Sequence, residues 1–321
     1  MRVIVTGGAG FIGSHVVDAL VARGDEVVVV DSLATGKREN VPASAELVER
    51  DIREPVDDVF DRVRPEAAFH LAAQADLRVA VERPHEDAAV NVLGTVHVLE
   101  AARRHGAQII FSSTGGAIYG ECEEPARETK TLLPMSPYGT SKLACEEYLS
   151  TYNRLHGTIH VALRYANVYG PRQDPHGEAG VVAIFLGALA RGEQAKIFGD
   201  GTQTRDYVYV GDVARATVSA LGQEGGIFNI GTGRETSVLE LYELCRAAAG
   251  SSAEPTHAPA RLGELQRSVL DTQLAAEQLG FAAMVGLEDG LASTWEWLER
   301  SSLGDPELAG ERGPGESAQG A

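Results

Sequence analysis

The chain has 321 residues, 44% of them hydrophobic, which suits one large globular domain or two modest ones around a sizeable core. A formal net charge of -18 argues against nucleic acid and membrane surfaces as partners, while a local basic pocket for a small phosphorylated ligand stays open. Cys122, Cys145 and Cys245 make no CxxC pair, so no disulfide framework and no metal site is expected.

Met1 to Gly13 is too short and too broken by glycine to be a signal peptide or a span, which points to the cytoplasm. Val3 to Val5 reads as a strand, Phe11 to Arg23 as a helix and Glu26 to Asp31 as a second strand, a βαβ unit. Further strand-like runs fall at Leu47–Val48, Ala67 to Leu71, Ile109 to Ser112 and Ile159 to Tyr165. Helical stretches separate them at Glu86 to His105 and Tyr138 to His156. Apolar strands alternating with helices predict an α/β fold with a doubly wound parallel sheet. After Gly170-Pro171 the rhythm changes, with helices at Val181 to Arg191, Val238 to Ala248 and Leu287 to Glu299. The pattern predicts a nucleotide-binding domain over 1–170 and a smaller mixed α/β substrate domain over 171–303, with some chain crossing between them. Residues 304–321, rich in Gly, Glu and Pro, read as a disordered tail.

Thr6-Gly7-Gly8-Ala9-Gly10-Phe11-Ile12-Gly13 joins the first strand to the first helix, as GxGxxG from Gly8 or GxxGxxG from Gly7. Glycines there permit a tight turn and close approach to a pyrophosphate, and the helix start at Phe11, Ile12 and Gly13 offers free N–H groups to it. Asp31, ending the second strand, is placed to hold a ribose diol, which makes the unit a Rossmann-type dinucleotide site and favours NAD over NADP. Asp51-Ile52, after the third strand, is positioned for the adenine edge.

Tyr138-Gly139-Thr140-Ser141-Lys142 is a YxxxK string that puts a phenol and an ammonium on one helix face. A tyrosine base near neutrality needs its pKa of about 10 lowered by about 3 units, roughly 4 kcal/mol. One cation at about 4 Å in a partly screened site supplies about that much. Ser112-Ser113-Thr114, ending a strand, can hydrogen-bond the reacting oxygen.

With the glycine turn, His70-Leu71-Ala72-Ala73-Gln74, the YxxxK and Arg164-Tyr165-Ala166-Asn167-Val168-Tyr169-Gly170-Pro171, the chain resembles the nucleotide-sugar 4-epimerases of the extended short-chain dehydrogenase/reductase family from Met1 to about Trp297. The resemblance implies a tightly held NAD+ that takes hydride from sugar C4 while Tyr138, with Lys142 and Thr114, removes the hydroxyl proton. The 4-keto sugar then turns over and hydride returns to its other face. It adds Ser32, Leu33, Leu71, Ala72, Ala73, Gln74, Asn91, Ser112 and Tyr165 to Gly7, Gly10 and the residues above as cofactor contacts. His70 becomes a structural part of the nicotinamide loop.

Sister enzymes that eliminate or decarboxylate place acids directly after the catalytic hydroxyl; here Gly115 and Gly116 follow Thr114, which favours epimerisation. A 4,6-dehydratase or decarboxylase, and a non-enzymatic NAD-sensing regulator on the same fold, stay open as alternatives. For a UDP-sugar the resemblance carries Asn167 and Arg205 to the diphosphate and Phe198 to the uracil. Arg261 with Glu264 goes to the uridine end, and Ser113, Val181 and Val182 to the pocket wall. Ser268 occupies the position that sets room at C2. Thr114, Gly115 and Gly116 could accept a C6 carboxylate, which tips the reading slightly to UDP-glucuronate over UDP-glucose. The same resemblance implies a homodimer through the helices at Glu86 to His105 and Tyr138 to His156.

Overall fold

The structure is a computed structural model that describes residues 1–175, 180–260 and 264–302. The tail expected over 304–321 therefore lies outside the described residues. Six strands form in chain order: β1 (Arg2–Thr6), β2 (Glu26–Asp31), β3 (Glu46–Glu49), β4 (Ala67–His70), β5 (Gln108–Thr114) and β6 (Val161–Tyr165). A seventh, Gly226–Ile230, returns from far along the chain and pairs with β6, so the parallel sheet runs, in spatial order, from that strand through β6, β5, β4, β1 and β2 to β3.

Alternation along the strands gives each face its own core. Val3, Val5, Val27 and Val29 turn to one side, with Val16, Val17 and Leu20 of helix α1 (Phe11–Ala22) and Val213 and Ala216 of the helix Val210–Ser219. Ile4, Val28 and Val30 turn to the other, against Phe60, Val98, Leu99, Cys145 and Leu149. Every strand is therefore apolar on both faces, as a doubly covered parallel sheet requires. The order reverses between β1 and β4, and a crevice at such a switch point, beyond the strands' carboxyl ends, is where ligands bind. Thr6, His70, Thr114 and Tyr165 are the last residues of β1, β4, β5 and β6, so the glycine turn, the loop after His70, Thr114 and the segment through Asn167 to Pro171 emerge on that edge.

A third core gathers Val182, Phe185 and Leu186 with Tyr207, Leu241, Tyr242, Leu291 and Leu298, and Trp295 and Trp297 pack against it. Among the described residues no helix is long and apolar enough to cross a membrane. Three expectations change in detail. The helix expected from Glu86 begins at Pro84 and passes through a π-helical turn, Ala89–Leu93, before running on as Gly94–His105. β6 starts at Val161, because Ile159 is exposed and its carbonyl accepts from the buried Gln108 side chain. The helices Asp57–Val63 and Val210–Ser219 and the strand Gly226–Ile230 are additions.

Candidate active site

Gly7 follows β1 with φ +72°, and a Cβ there would stand 2.5 Å from the Ala72 nitrogen. At Gly13 a Cβ would stand 2.0 Å from the Gly7 carbonyl oxygen, so any side chain would push α1 off the turn. Gly10 caps α1 with no side-chain hydrogen bond, and no acid sits in the first turn. The N–H groups of Phe11, Ile12 and Gly13 are thus left for an anion. Asp31 is buried and accepts from Ala9 N–H at 2.9 Å and Leu33 N–H at 2.8 Å. A carboxylate takes about four hydrogen bonds, so two ribose hydroxyls can still be held. The Ala9 carbonyl accepts from Lys37 N–H and from the Asn40 amide, folding the segment after Asp31, with Ser32 and Leu33, back onto the glycine turn. Ile52 packs where a Cβ on Gly94 would collide with it at 2.6 Å, whereas Asp51 is paired to Arg53 at 2.6 Å. The cradle fits a dinucleotide.

A hydrogen-bond relay fixes the next loop. Thr95 donates to the Asn91 carbonyl at 2.6 Å, so its oxygen accepts from His70 Nε2–H, and His70 Nδ1 accepts from the Thr6 hydroxyl at 2.7 Å. Thr6 in turn accepts from Ala72 N–H, and its carbonyl from Leu71 N–H. Burial, with the Lys142 charge second, pushes the His70 imidazole down to about 3, so it is neutral and structural. The Asn91 side chain reads the Gln74 backbone twice, accepting from its N–H and donating to its carbonyl, both at 2.9 Å. Asn91 lies inside the π-helical turn, a distortion that recurs at functional sites. This places Leu71, Ala72, Ala73 and Gln74 beside the glycine turn.

Ser136 caps the helix Pro137–His156 by accepting from Gly139 N–H, and Pro137 opens it, so Tyr138 stands in the first turn. One turn on, Lys142 is 2% exposed, and its ammonium donates to the Ser112 carbonyl at 2.8 Å. Its Nζ stands 5.8 Å from the Tyr138 ring centre and 4.7 Å from that of Phe111. The cation therefore joins the tyrosine helix to the strand that ends at Thr114.

Two residues differ from expectation. The Ser113 hydroxyl is turned inward and donates to buried Glu146, so only the Ser113 main chain is left to face the cleft. The Tyr165 phenol donates to Thr217, whose own proton goes to the Val213 carbonyl; burial raises its pKa, and the side chain belongs to the core.

On the substrate side, Asn167–Tyr169 pairs in parallel with Tyr207–Tyr209, and Asn167 N–H donates to the Asp206 carbonyl. Gly116 lies where a Cβ would meet the Asn167 side-chain oxygen at 3.3 Å, and a Cβ on Gly115 would run into Leu270 at 2.5 Å. Gly115 thus has a packing cause, whereas the contact at Gly116 is tight without excluding a Cβ. Arg205 pairs with Glu264 at 3.6 Å, and its register partner across the strand pair is Ser268, so residues expected at the diphosphate, the uridine end and the sugar C2 position come together. Phe198 ends the strand Lys196–Phe198, with Gln203 donating to its carbonyl. Val181 opens the helix Val181–Ala190, while Val182 is packed into the third core. Arg261 lies outside the described residues. Among the described residues no cluster of His, Cys, Asp and Glu could hold a metal.

The sequence reading missed Thr6, Asn40, Asp87 and Asp206. Asp206 is buried and accepts from Thr232 N–H, the Thr232 hydroxyl and Gly233 N–H, anchoring the strand on which Asn167 rests. Its place directly after Arg205 was the available signal.

Residues 3–231 match the family described as NAD dependent epimerase/dehydratase. A UDP-glucose 4-epimerase of Mycolicibacterium smegmatis is 46% identical over 312 residues, covering 94% of this chain and all of that protein. A UDP-glucose 4-epimerase of Thermotoga maritima, solved with UDP-glucose, superposes with a TM-score of 0.91 at 48% identity, covering 94% of this chain and 99% of that one. A third, from Thermus thermophilus in complex with NAD, gives 0.89 at 48% identity, over 93% and 99%. With the glycine cradle, the Asp31 carboxylate and the Tyr138–Lys142 helix on one sheet edge, the chain belongs to the NAD-dependent epimerase/dehydratase family, with NAD as its cofactor.

Proposed function

We propose that the protein interconverts UDP-glucose and UDP-galactose by inverting C4 through a 4-keto sugar. The observation that carries the reading is the buried Lys142, held by the Ser112 carbonyl within one turn of Tyr138 and on the strand that ends at Thr114. The glycine turn and Asp31 would hold NAD+, which would supply reversible hydride transfer at C4. Tyr138, its phenolate favoured by the Lys142 charge, takes the O4 proton, and Thr114 hydrogen-bonds the same oxygen. Arg205, freed from Glu264, suits the diphosphate because its planar fork meets phosphate oxygens in pairs. With no acid after Thr114, nothing beside the sugar there would protonate a leaving C6 hydroxyl, which favours epimerisation over dehydration.

The sequence alone leans slightly to UDP-glucuronate; relatives at 46 to 48% identity that carry the UDP-glucose name turn the balance. The uronate remains the second reading, because Thr114 and the amides of Gly115 and Gly116 could accept its carboxylate. Proton NMR of the anomeric region, with equimolar UDP-glucose and UDP-glucuronate and no added cofactor, decides between them. New galacto-configured signals from UDP-glucose are expected; turnover of the uronate alone overturns the sugar assignment, and no turnover of either, with NAD+ added, overturns the reaction. Tyr138→Phe should abolish at least about 99% of turnover and leave NAD bound. We also propose a homodimer through the helices Gly94–His105 and Pro137–His156, which a monomer mass in light scattering would rule out.

A further inference from the structure

Asp87 is wholly buried, yet the hydrogen-bond partners of its side chain among the described residues are all neutral. One carboxylate oxygen accepts from the Gln74 side chain at 3.1 Å and from Asn91 at 3.0 Å; the other accepts from the Ser141 hydroxyl at 2.5 Å. Burying a carboxylate among neutral donors is unfavourable against burying a neutral group. In the sequence the residue reads only as one acid in an amphipathic helix.

Its three partners come from the three pieces the reaction must align. Gln74 belongs to the loop beside the glycine turn, Asn91 to the π-helical turn that holds that loop by its backbone, and Ser141 stands between Tyr138 and Lys142 on the reacting helix. Lys142 is fixed on its other side by the Ser112 carbonyl. One turn on, the Cys145 thiol donates to the Asn91 carbonyl at 3.2 Å, but in the turn that carries Tyr138 and Lys142 the Ser141 to Asp87 contact is the described side-chain tie to the cofactor loop.

We propose that Asp87 is a positioning residue: its carboxylate ties Ser141 to Gln74 and Asn91 and so sets the phenol of Tyr138 and the ammonium of Lys142 against the cofactor. This rests on the epimerase reading for its effect on turnover, but not for its effect on the tyrosine. Misplacing reacting groups by about 1 Å costs up to about 100-fold. Loss of the tie should therefore appear in kcat rather than in KM.

The test uses the full-length holoenzyme with Ser141→Ala, Asp87→Asn and the double variant. Ser141→Ala keeps the Asp87 charge and breaks only the tie. It should lower kcat at least about tenfold with KM within about twofold, and the double variant should be no worse than the poorer single one, because the pair acts as one unit. NAD released by acid should stay at the wild-type amount per subunit. Ultraviolet difference titration against Tyr138→Phe should show the Tyr138 phenol in Ser141→Ala moving up toward the free value of about 10. An unmoved tyrosine titration overturns the proposal whether or not the wild type turns over a sugar. Equal losses in kcat, KM and NAD content would mean that Asp87 only supports the fold. A wild type that turns over neither sugar, with the titration shifted as expected, rejects the epimerase reading and keeps the positioning role.

Discussion

The Arg164 guanidinium and the Glu146 carboxylate, 2% and 1% exposed, lie fork to fork behind the reacting strand, with Nε to Oε1 at 2.9 Å and Nη2 to Oε2 at 2.6 Å. Glu146 stands one turn beyond Lys142, Arg164 lies on β6, and Ser113 of β5 donates to the same carboxylate. The ion pair thus locks the helix of Tyr138 to both strands that carry site residues. Arg164 also donates to the Tyr119 hydroxyl at 2.7 Å, and Tyr119 to Asn229 of the seventh strand.

Removing one partner of such a pair strands the other charge in the core. Glu146→Gln should therefore cost about 3–5 kcal/mol, read as a lower urea midpoint at unchanged slope. Glu146→Leu with Arg164→Met, which removes both charges, should recover much of the loss. A Glu146→Gln midpoint within error of wild type would mean that the pair contributes little.

The cofactor turn offers a sharper geometric case. A Cβ on Gly13 would sit 2.0 Å from the Gly7 oxygen, a backbone atom that cannot rotate away. Gly13→Ala should displace the start of α1, and with it the N–H groups meant for the pyrophosphate. Protein purified from cells should carry at most about a tenth of the wild-type NAD, by acid release, because losing 1.4 kcal/mol of binding is tenfold. Full NAD occupancy in that variant would mean that the turn does not bind the pyrophosphate as described.

Most of the nucleotide half was legible in the sequence, because its signals are local: β-branched runs for β1 and β2, glycines at fixed spacing, a helix opened by the YxxxK string. What escaped depends on contacts made far along the chain. The seventh strand, Gly226–Ile230, is as long as β1, but Gly226 and Asn229 interrupt its apolar run, and it is a strand because β6 offers it an edge. Ser113 looked like a site hydroxyl, since strand periodicity gives two faces but not which faces the cleft, and the Arg164–Glu146 pair decides that. Tyr165 went the same way through Thr217. Nothing local in the sequence marks Asp87 and Asp206, because donors that hold them, Gln74 and Ser141 for one and Thr232 and Gly233 for the other, lie far along the chain.

Under the proposed UDP-sugar reading, Ser268, 5% exposed and in register with Arg205, would set the room at the sugar C2. A serine there leaves room that a tyrosine would fill. Ser268→Tyr should lower kcat/KM for a UDP-N-acetylhexosamine at least about tenfold more than for UDP-glucose, since rejecting one bulky group is worth about 1–3 kcal/mol. Parallel losses for both sugars would place Ser268 away from C2.

Acid should weaken the fold earlier than its carboxylates alone would. Burial pushes His160 down to about 4 and His70 to about 3, from an ordinary 6.5. In each case the unfolded chain binds the proton more readily, so full stability is present above pH 6.5 and is lost as pH falls toward the folded value. Each contributes a slope of up to about 1.4 kcal/mol per pH unit in that window. Glu100, held down to about 2 chiefly by the Arg103 hydrogen bond, has the same sign but acts only below its ordinary 4.5. The histidines therefore lead between pH 6.5 and 4.5. His160 Nδ1 accepts from Ile109 N–H, so the neutral ring carries its proton on Nε2, which is buried without a partner among the described residues; a second proton would go to Nδ1 and displace the Ile109 N–H. A Tm that falls steadily from pH 7 to pH 5 is expected. His160→Gln, whose amide oxygen can still accept from Ile109, should flatten that fall although it is less stable at pH 7. A wild-type Tm that is level or rising over the same range would show that neither imidazole is held neutral by the fold.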